Sequence, residues 1–449
     1  MNELPNLPNE LSASSTEDGL NKPQKRIIMY KLYFKQAWLM LKQNKFISII
    51  AIMGTALAIM MIMSIIVADE IQNISVSPEI NRDRTLYVNY QVQRDTTKGS
   101  WQSGTPPYNI LKDYLYPLKT PQYVSGVTNI RTDVPATLVC KEGSNDITNM
   151  HLRASDAIYW KIFSFSFIQG KPFSQEEFES GIPVAVITET TARKVFKGET
   201  AMGQTILINF KPYRIIGIVK DVSPVFKHAF GDLWIPYTSL QKEDLHFETI
   251  ILAENTKDIP AIIEEARTME KKYATERAPW ILYLQGPLTN KAYQMNIRGN
   301  TVLEIAENMT IKNRKLIFIL LILLLIPAIN LSGLSLSRIK KRTEEIGIRK
   351  AFGAKKYTIL IQVLFENLIT SVLGGIIGLI LSYLVVFQMR DWLLDVPEGS
   401  MIPVSTLISI PVLLAVFAVC LVINLLSAGI PAYKASRMKI INSLNQNDK

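Results

Sequence analysis

The sequence predicts a polytopic α-helical membrane protein, with four transmembrane helices and a large α+β extracytoplasmic domain between the first and second. Three observations predict it. Four apolar runs, Ile47–Ala68, Leu316–Leu336, Asn367–Met389 and Met401–Tyr433, contain no charged residue, and about 20 apolar residues suffice to cross the hydrocarbon core. Core helices of soluble proteins rarely run so long without a polar face. Second, the basic residues gather on one side: Lys22 to Lys45 before the first run, Arg338 to Lys356 between the second and third, and Lys434, Arg437 and Lys439 after the fourth. Basic flanks stay in the cytoplasm, which requires an even number of spans with both termini inside. Third, the segment Asp69–Ile311 then lies outside, is long enough for its own core, and mixes strand and helix patterns.

Each element follows from its residues. Residues 1–24 are polar, with Pro5, Pro8 and a Ser-Ala-Ser-Ser run, and read as a disordered tail. In 25–45, Tyr30, Phe34, Trp38 and Leu41 recur at helical spacing among Lys31, Lys35, Lys42 and Lys45. That is a basic amphipathic helix suited to the inner membrane surface. The first span, 46–68, reads as a retained anchor, because no small-x-small cleavage site closes it before Asp69-Glu70. It carries Gly54 and Ala58 four apart, a spacing that lets helices approach closely.

Within the outer domain, 69–312, Leu86–Val92 alternates as a strand and Pro183–Ile187 is a short β-rich run. Thr190–Phe196 reads as helix. Thr205–Ile208 and Tyr213–Val219 read as a hairpin around a Lys211-Pro212 turn, Thr249–Ala253 as a strand, Asp258–Glu276 as a helix and Trp280–Leu284 as a returning strand. Asn296–Asn308 feeds the second span, 313–337. A basic cytoplasmic loop, 338–356, precedes the third span, 357–389, where Gly374 and Gly378 repeat the small-residue spacing beside Gly375. A short outer loop, 390–402, sets Arg390 against Asp391, Asp395 and Glu398. The fourth span, 403–429, and a cytoplasmic tail, 430–449, complete the chain. Pro327 and Pro411 are expected to kink their helices.

The chemistry the chain lacks narrows its function. The net charge of +10 sits beside the apolar runs, a positive-inside distribution that points to membrane lipid and away from nucleic acid. Cys140 and Cys420 fall in different compartments and cannot pair, and His151, His228 and His246 are scattered, so neither a disulfide nor a metal site is expected. The spacing from Gly347 to Gly353 is one residue too long for a phosphate-binding loop and no Gly-Lys-Ser/Thr closes it. No G-x-S-x-G, H-E-x-x-H or Cys-x-x-Cys occurs. No Asp or Glu stands near a span centre, which removes an intramembrane proton relay. The chain is expected to be non-catalytic and to bind no cofactor itself; energy for transport would come from ATP used by another chain.

One segment concentrates the functional signal. Arg338–Lys356 holds eight basic residues and contains Glu344-Glu345-Ile346-Gly347-Ile348-Arg349-Lys350-Ala351-Phe352-Gly353-Ala354. Lys340–Phe352 can form a short helix, with Gly353 as a left-handed stop. Glu344 and Glu345 early and Arg349 and Lys350 late complement the helix dipole, Glu345 and Arg349 have i,i+4 spacing, and Ile348 and Phe352 share a face that could enter a groove on a partner.

This loop resembles the signature of the ABC-transporter permease family that includes the MacB-type exporters, the lipoprotein-release permeases and FtsX-like proteins. Val184-Ala185-Val186-Ile187-Thr188-Glu189-Thr190, Ala192-Arg193-Lys194-Val195-Phe196, Met202-Gly203-Gln204-Thr205-Ile206 and Tyr213 to Asp221 are similar to the family's periplasmic core domain. Pro431-Ala432-Tyr433-Lys434-Ala435-Ser436-Arg437 is similar to its closing motif. The resemblance implies a permease subunit of the bacterial inner membrane, without a fused ATPase domain. It would couple ATP hydrolysis by a separate cytoplasmic ABC ATPase subunit to movement of its periplasmic domain. The work would be efflux, export, or lipoprotein or peptide handling. The resemblance also implies a dimer with a second copy or a related permease, a membrane-fusion protein or outer-membrane channel as further partner, a coupling role for 344–353, and an inserted β-rich part near 124–253. The alternative is an FtsX-like transmembrane activator of an envelope hydrolase, with no substrate transport.

Overall fold

Each of the four apolar runs lies, over its described residues, within one long helix. The computed structural model describes residues 31–437 apart from 32–33, 40, 72, 74, 129–136, 241–244, 298, 300–301, 342, 354 and 389–409. The expected tail 1–24, the outer loop 390–402 and the start of the fourth run therefore lie outside the described residues. The helices are α1 (Lys45–Ile71), α2 (Glu189–Phe196), α3 (Ile259–Glu276), α4 (Asn290–Gln294), α5 (Val302–Lys341), α6 (Thr343–Ala351), α7 (Lys356–Gln388) and α8 (Ile410–Arg437), with shorter turns between them. Among the described residues, two stretches, Lys45–Val67 and Lys356–Val385, are long and apolar enough to cross a membrane. The second span expected at 313–337 is the middle of α5, a single helix of 40 residues that continues through Pro327. The proline well inside the described part of α8 is Pro431; Pro411 is its second described residue.

The chain divides into two compact units, Ile65–Phe318 with Val385–Ser409, and Met1–Ser64 with Ile319–Leu384 and Ile410–Lys449. The first unit is built on strands β1 (Thr85–Val88), β2 (Tyr90–Asp95), β3 (Trp101–Gly104), β4 (Tyr123–Thr128), β5 (Thr137–Lys141), β6 (Thr148–Met150), β7 (Leu152–Ser155) and β8 (Phe167–Gly170). It continues with β9 (Val184–Thr188), β10 (Thr205–Ile208), β11 (Lys211–Val219), β12 (Leu233–Pro236), β13 (Phe247–Leu252), β14 (Trp280–Gln285) and β15 (Leu288–Thr289). A 12-stranded sheet runs β15-β1-β13-β4-β7-β12-β9-β11-β10-β5-β6, with β8 on β11, and a 3-stranded sheet runs β14-β2-β3. β9 pairs in parallel with β11, and β12 with β7; the other described pairings are antiparallel. β1, β9, β12 and β13 are buried along their whole length, and β9 and β12 accordingly read as short, largely apolar runs without the alternation of a half-exposed strand. Their side chains carry the main core, with Tyr87, Ile187, Trp234 and Ile251 fully enclosed.

The sequence reading needs correction at two strands. Leu86–Val92 is two strands: Asn89 separates β1, in the large sheet, from β2, in the small one. Alternation continues across the break, so periodicity alone hides it. The hairpin turn is Asn209-Phe210, both at positive φ (46° and 65°), while Lys211 and Pro212 already pair with Ile208 and Leu207. Two left-handed turn residues match the twist of the flanking strands, and Asn209 also fixes the turn by accepting from the Leu138 N–H at 3.1 Å. Proline, a common turn former, here occupies a strand ahead of the β9 pairing that begins at Arg214.

Local chemistry explains the other elements. Thr188 caps α2 by accepting from the Thr191 N–H, and Lys197 closes it in a left-handed conformation (φ 51°). α3 buries Ile262, Ile263, Ala266 and Tyr273 at helical spacing against the small sheet, with the Tyr273 hydroxyl donating to Gln93 at 3.0 Å. The two ends of this unit meet: Leu86 pairs with Thr289, and the Asn290 amide donates to Asn73 at 3.2 Å.

The segment between β11 and β12 is fastened by buried charge. Glu79 bonds Arg82 Nε at 2.6 Å and accepts from the His228 and Ala229 N–H groups at 3.0 and 2.9 Å. Arg82 donates to the Val225 carbonyl and covers the Phe226 ring. Arg153 donates to the carbonyls of Phe230, Lys227 and Thr128 and lies 3.5 Å from Glu248. His228 stacks on Tyr87, with centroids 3.5 Å apart, and its Nδ1 lies 2.8 Å from Glu248. Burial pushes the Glu248 carboxyl up, but His228 and Arg153 more than offset it and hold it below its usual value.

Arg153→Met leaves Glu248 without that countercharge. It should destabilise the domain by about 3–5 kcal/mol at neutral pH, measured by chemical denaturation of the purified chain. A depressed carboxylate contributes stability above its unfolded pKa and loses it as pH falls. The stability difference between the native chain and Glu248→Gln should therefore shrink below about pH 4.3, the ordinary glutamate value.

Candidate functional site

The basic segment folds as its residue order dictates. Glu344 and Glu345 open α6, and Arg349 and Lys350 close it, each sign at the helix end that favours it. The Phe352 and Gly353 N–H groups donate to the carbonyls of Ile348 and Lys350 at 3.0 Å each, and Gly353 takes φ +89°, where a side chain would be strained. The helix expected from Lys340 begins at Thr343 as α6, because α5 itself continues to Lys341; the buried Thr343 hydroxyl donates back to the Lys340 carbonyl at 2.9 Å.

α6 has two unlike faces. Thr343 and Gly347 are buried, with Ile346 beside them half-buried. Ile348 is 49% exposed and Phe352 89%, with Tyr357 exposed nearby. Arg349 joins the helix to α7: its guanidinium donates to Glu345 at 2.5 Å and to Gln362 at 2.9 Å. Burial and the neighbouring Lys356 lower the Lys350 ammonium below its usual range.

Behind α6 lies a cluster that sequence reasoning did not assemble. Arg338 on α5 donates to Glu366 on α7 at 3.0 Å and to Asn367 at 3.3 Å, and Ser335 donates to the same Asn367 oxygen at 2.5 Å. Ser335, Arg338, Glu366 and Asn367 are all buried. These side chains, with Ile346 and Arg349 of α6, line a small cleft that is open on one side. In the sequence Arg338 counts as one of eight topogenic charges, and Glu366 falls just outside the third apolar run. The available signal was their opposite sign at the facing ends of neighbouring runs.

The small-residue positions divide. A Cβ on Gly374 would lie 2.8 Å from Thr55 Cβ, and one on Gly378 would lie 2.7 Å from the Ala56 carbonyl and 2.9 Å from Ile59 Cβ. A Cβ on Gly375 would meet Phe417 at 2.3 Å. On α1 the contact therefore belongs to Thr55, Ala56 and Ile59. Gly54 meets nothing within 4 Å and Ala58 is half-buried, so the expected Gly54–Ala58 surface is displaced round the helix. Before α1, Ala37 and Leu41 pack on Ile369 and Leu373, while Phe34 and Trp38 stay exposed. Among the described residues, no group of three or more His, Cys, Asp or Glu side chains could hold a metal ion.

Comparison with known proteins follows the same division. The family model of the MacB-like periplasmic core domain matches residues 48–269, and that of the FtsX-like permease C-terminal matches residues 317–440. The macrolide export ATP-binding/permease protein MacB 1 of Yersinia pestis bv. Antiqua is 24% identical over 418 residues, 91% of this chain and 59% of that protein. The chain thus spans about three fifths of the length of that relative. The uncharacterized ABC transporter permease YknZ of Bacillus subtilis is 24% identical over 296 residues, 64% of this chain and 67% of that protein. Among solved structures, the periplasmic region of MacB from Actinobacillus actinomycetemcomitans aligns at 14% identity and a TM-score of 0.33, over 46% of this chain and 92% of that one.

Gly378→Leu should lower the stability of the detergent-purified chain by about 1–3 kcal/mol through overpacking, read as a fall in Tm. Gly54→Leu, with open space around it, should leave Tm within a degree or so.

Proposed function

Because the chain belongs to the MacB/FtsX-like family of ABC-transporter permeases, we propose that it is the permease subunit through which a separate ATPase moves a periplasmic domain. In this reading the chain lies in the bacterial inner membrane as four spans with both termini in the cytoplasm, and works as a dimer. ATP is bound and hydrolysed by a cytoplasmic ABC ATPase subunit. α6 seats in a groove of that subunit and serves as the coupling helix. Closure of the ATPase pushes α6, and the displacement reaches the outer domain, where it acts in efflux, export, or lipoprotein or peptide handling.

The observation that carries this reading is the two-faced α6. One face is fixed to α7 through Arg349 and Gln362, and Ile348 and Phe352 project outward. Large apolar side chains on a short, charge-capped helix are the shape a protein groove accepts. The adjacent ends of the outer domain, joined by the β1–β15 pairing, agree with a domain moved as one body. An FtsX-like activator of an envelope hydrolase would use the same parts and differ in what the outer domain acts on.

Ile348→Asp or Phe352→Asp puts a charge into the proposed contact at a cost of several kcal/mol, about 2–7 for a polar group left unpaired. Capture of the ATPase by the purified chain should be lost, while membrane insertion and outer-domain folding stay normal. Lys355→Gln should have little effect; full capture by both Asp variants would end the coupling assignment. The topology has its own test. In a background lacking Cys140 and Cys420, Asn145→Cys should react with an impermeant thiol reagent on intact cells, and Lys355→Cys should react only after lysis.

A further inference from the structure

The cluster behind α6 supplies what a coupling helix needs next, a stiff connection to the membrane helices. From this geometry we infer that Glu366 is a positioning residue: paired with Arg338 and backed by Asn367 and Ser335, it locks α5 and α7 together behind α6, so that a push on α6 reaches both helices at once. The inference rests on the reading of α6 as the coupling helix and adds where its motion goes.

Three observations carry it. The ion pair joins different helices, with Arg338 near the end of α5 and Glu366 within α7. A buried pair of this kind resists separation, because parting it strands two charges away from water. The lock is two-layered: Arg338 and Ser335 converge on one oxygen of Asn367, and the Asn367 amide donates to the Val363 carbonyl at 2.8 Å. Finally, Ser335, Arg338, Glu366 and Asn367 are all buried where the helices meet, beside a small cleft lined also by Ile346 and Arg349 of α6. Closely packed side chains transmit strain. Arg349, bonded to Glu345 on α6 and to Gln362 on α7, stands one helical turn from Glu366 on the α7 side and delivers the push at that point.

The test uses the full chain in mild detergent, with whatever ATPase subunit co-purifies, and compares Glu366→Gln, Arg338→Met and the exchanged pair Arg338→Glu/Glu366→Arg. Two readouts are taken. Amide hydrogen exchange over Thr343–Ala351, measured without any partner, should be about tenfold faster in Glu366→Gln, as local opening becomes easier. Capture of the ATPase should stay at native stoichiometry while stimulated hydrolysis falls by about tenfold, the size of a typical coupling term. The exchanged pair should recover both. Unchanged exchange in Glu366→Gln overturns the inference, and so does a parallel fall of capture and hydrolysis, which would make Glu366 a shaper of the docking face alone. If the native chain captures no ATPase, the coupling reading fails, and the exchange measurement alone decides whether Glu366 positions α6.

Discussion

A guanidinium and a carboxylate buried 3.0 Å apart between two long helices set the terms for the membrane-side unit. Neither charge is tolerable there alone, so α5 and α7 must stay in register where Arg338 and Glu366 meet. Farther along α7 a different chemistry holds the bundle: Gly374 and Gly378 let its backbone approach Ile52 to Ile59 of α1. Hydrocarbon gives helices no hydrophobic reason to associate, which leaves polar pairs and close backbone contact as the means of packing. α7 uses one at its beginning and the other at its middle. α6 is set against the polar end, where the bundle is fastened by directional bonds.

The outer unit solves a related problem with the same kind of interaction. Its long connection between β11 and β12 has few backbone partners, and buried side chains supply them. Arg153 and Glu79 bind the main chain of Val225 to Phe230 directly or through Arg82, and Glu248 lies beside both Arg153 and His228. These bonds fasten the connection to the core, although one buried nitrogen of the cluster, His228 Nε2, has no hydrogen-bond partner.

Much of this was legible in the residues, for identifiable reasons. α6 and its Gly353 stop, the Thr188-capped α2 and the Trp280 strand rest on local signals, namely capping, dipole complementarity and strand composition, which act within a few residues. Most of the failures are non-local. Nothing near Asn89 shows that β1 and β2 belong to different sheets, because the decision lies with β13 and β14, far downstream. Glu366 borders an apolar run in the sequence, and the Arg338 that gives it meaning lies on another helix. Gly54 matched a packing spacing, yet helix rotation, fixed by neighbours, gave the contact to Thr55 and Ala56. The Asn209-Phe210 turn was missed because Pro212 gave the louder signal.

The place of β1 has a consequence for the order in which the chain can mature. It is the first strand of the outer domain to leave the membrane machinery, yet its partners are β13, with Thr85 opposite Leu252, and β15 near residue 289. Synthesis proceeds vectorially at about 5–20 residues per second, so a strand carrying Leu86, Tyr87 and Val88 waits on the order of ten seconds for its neighbours to emerge. Non-local pairing of this kind is slow and exposes aggregation-prone surface. Until β13 is made, β1 has neither of its described sheet neighbours, so the large sheet closes at this edge only late in synthesis.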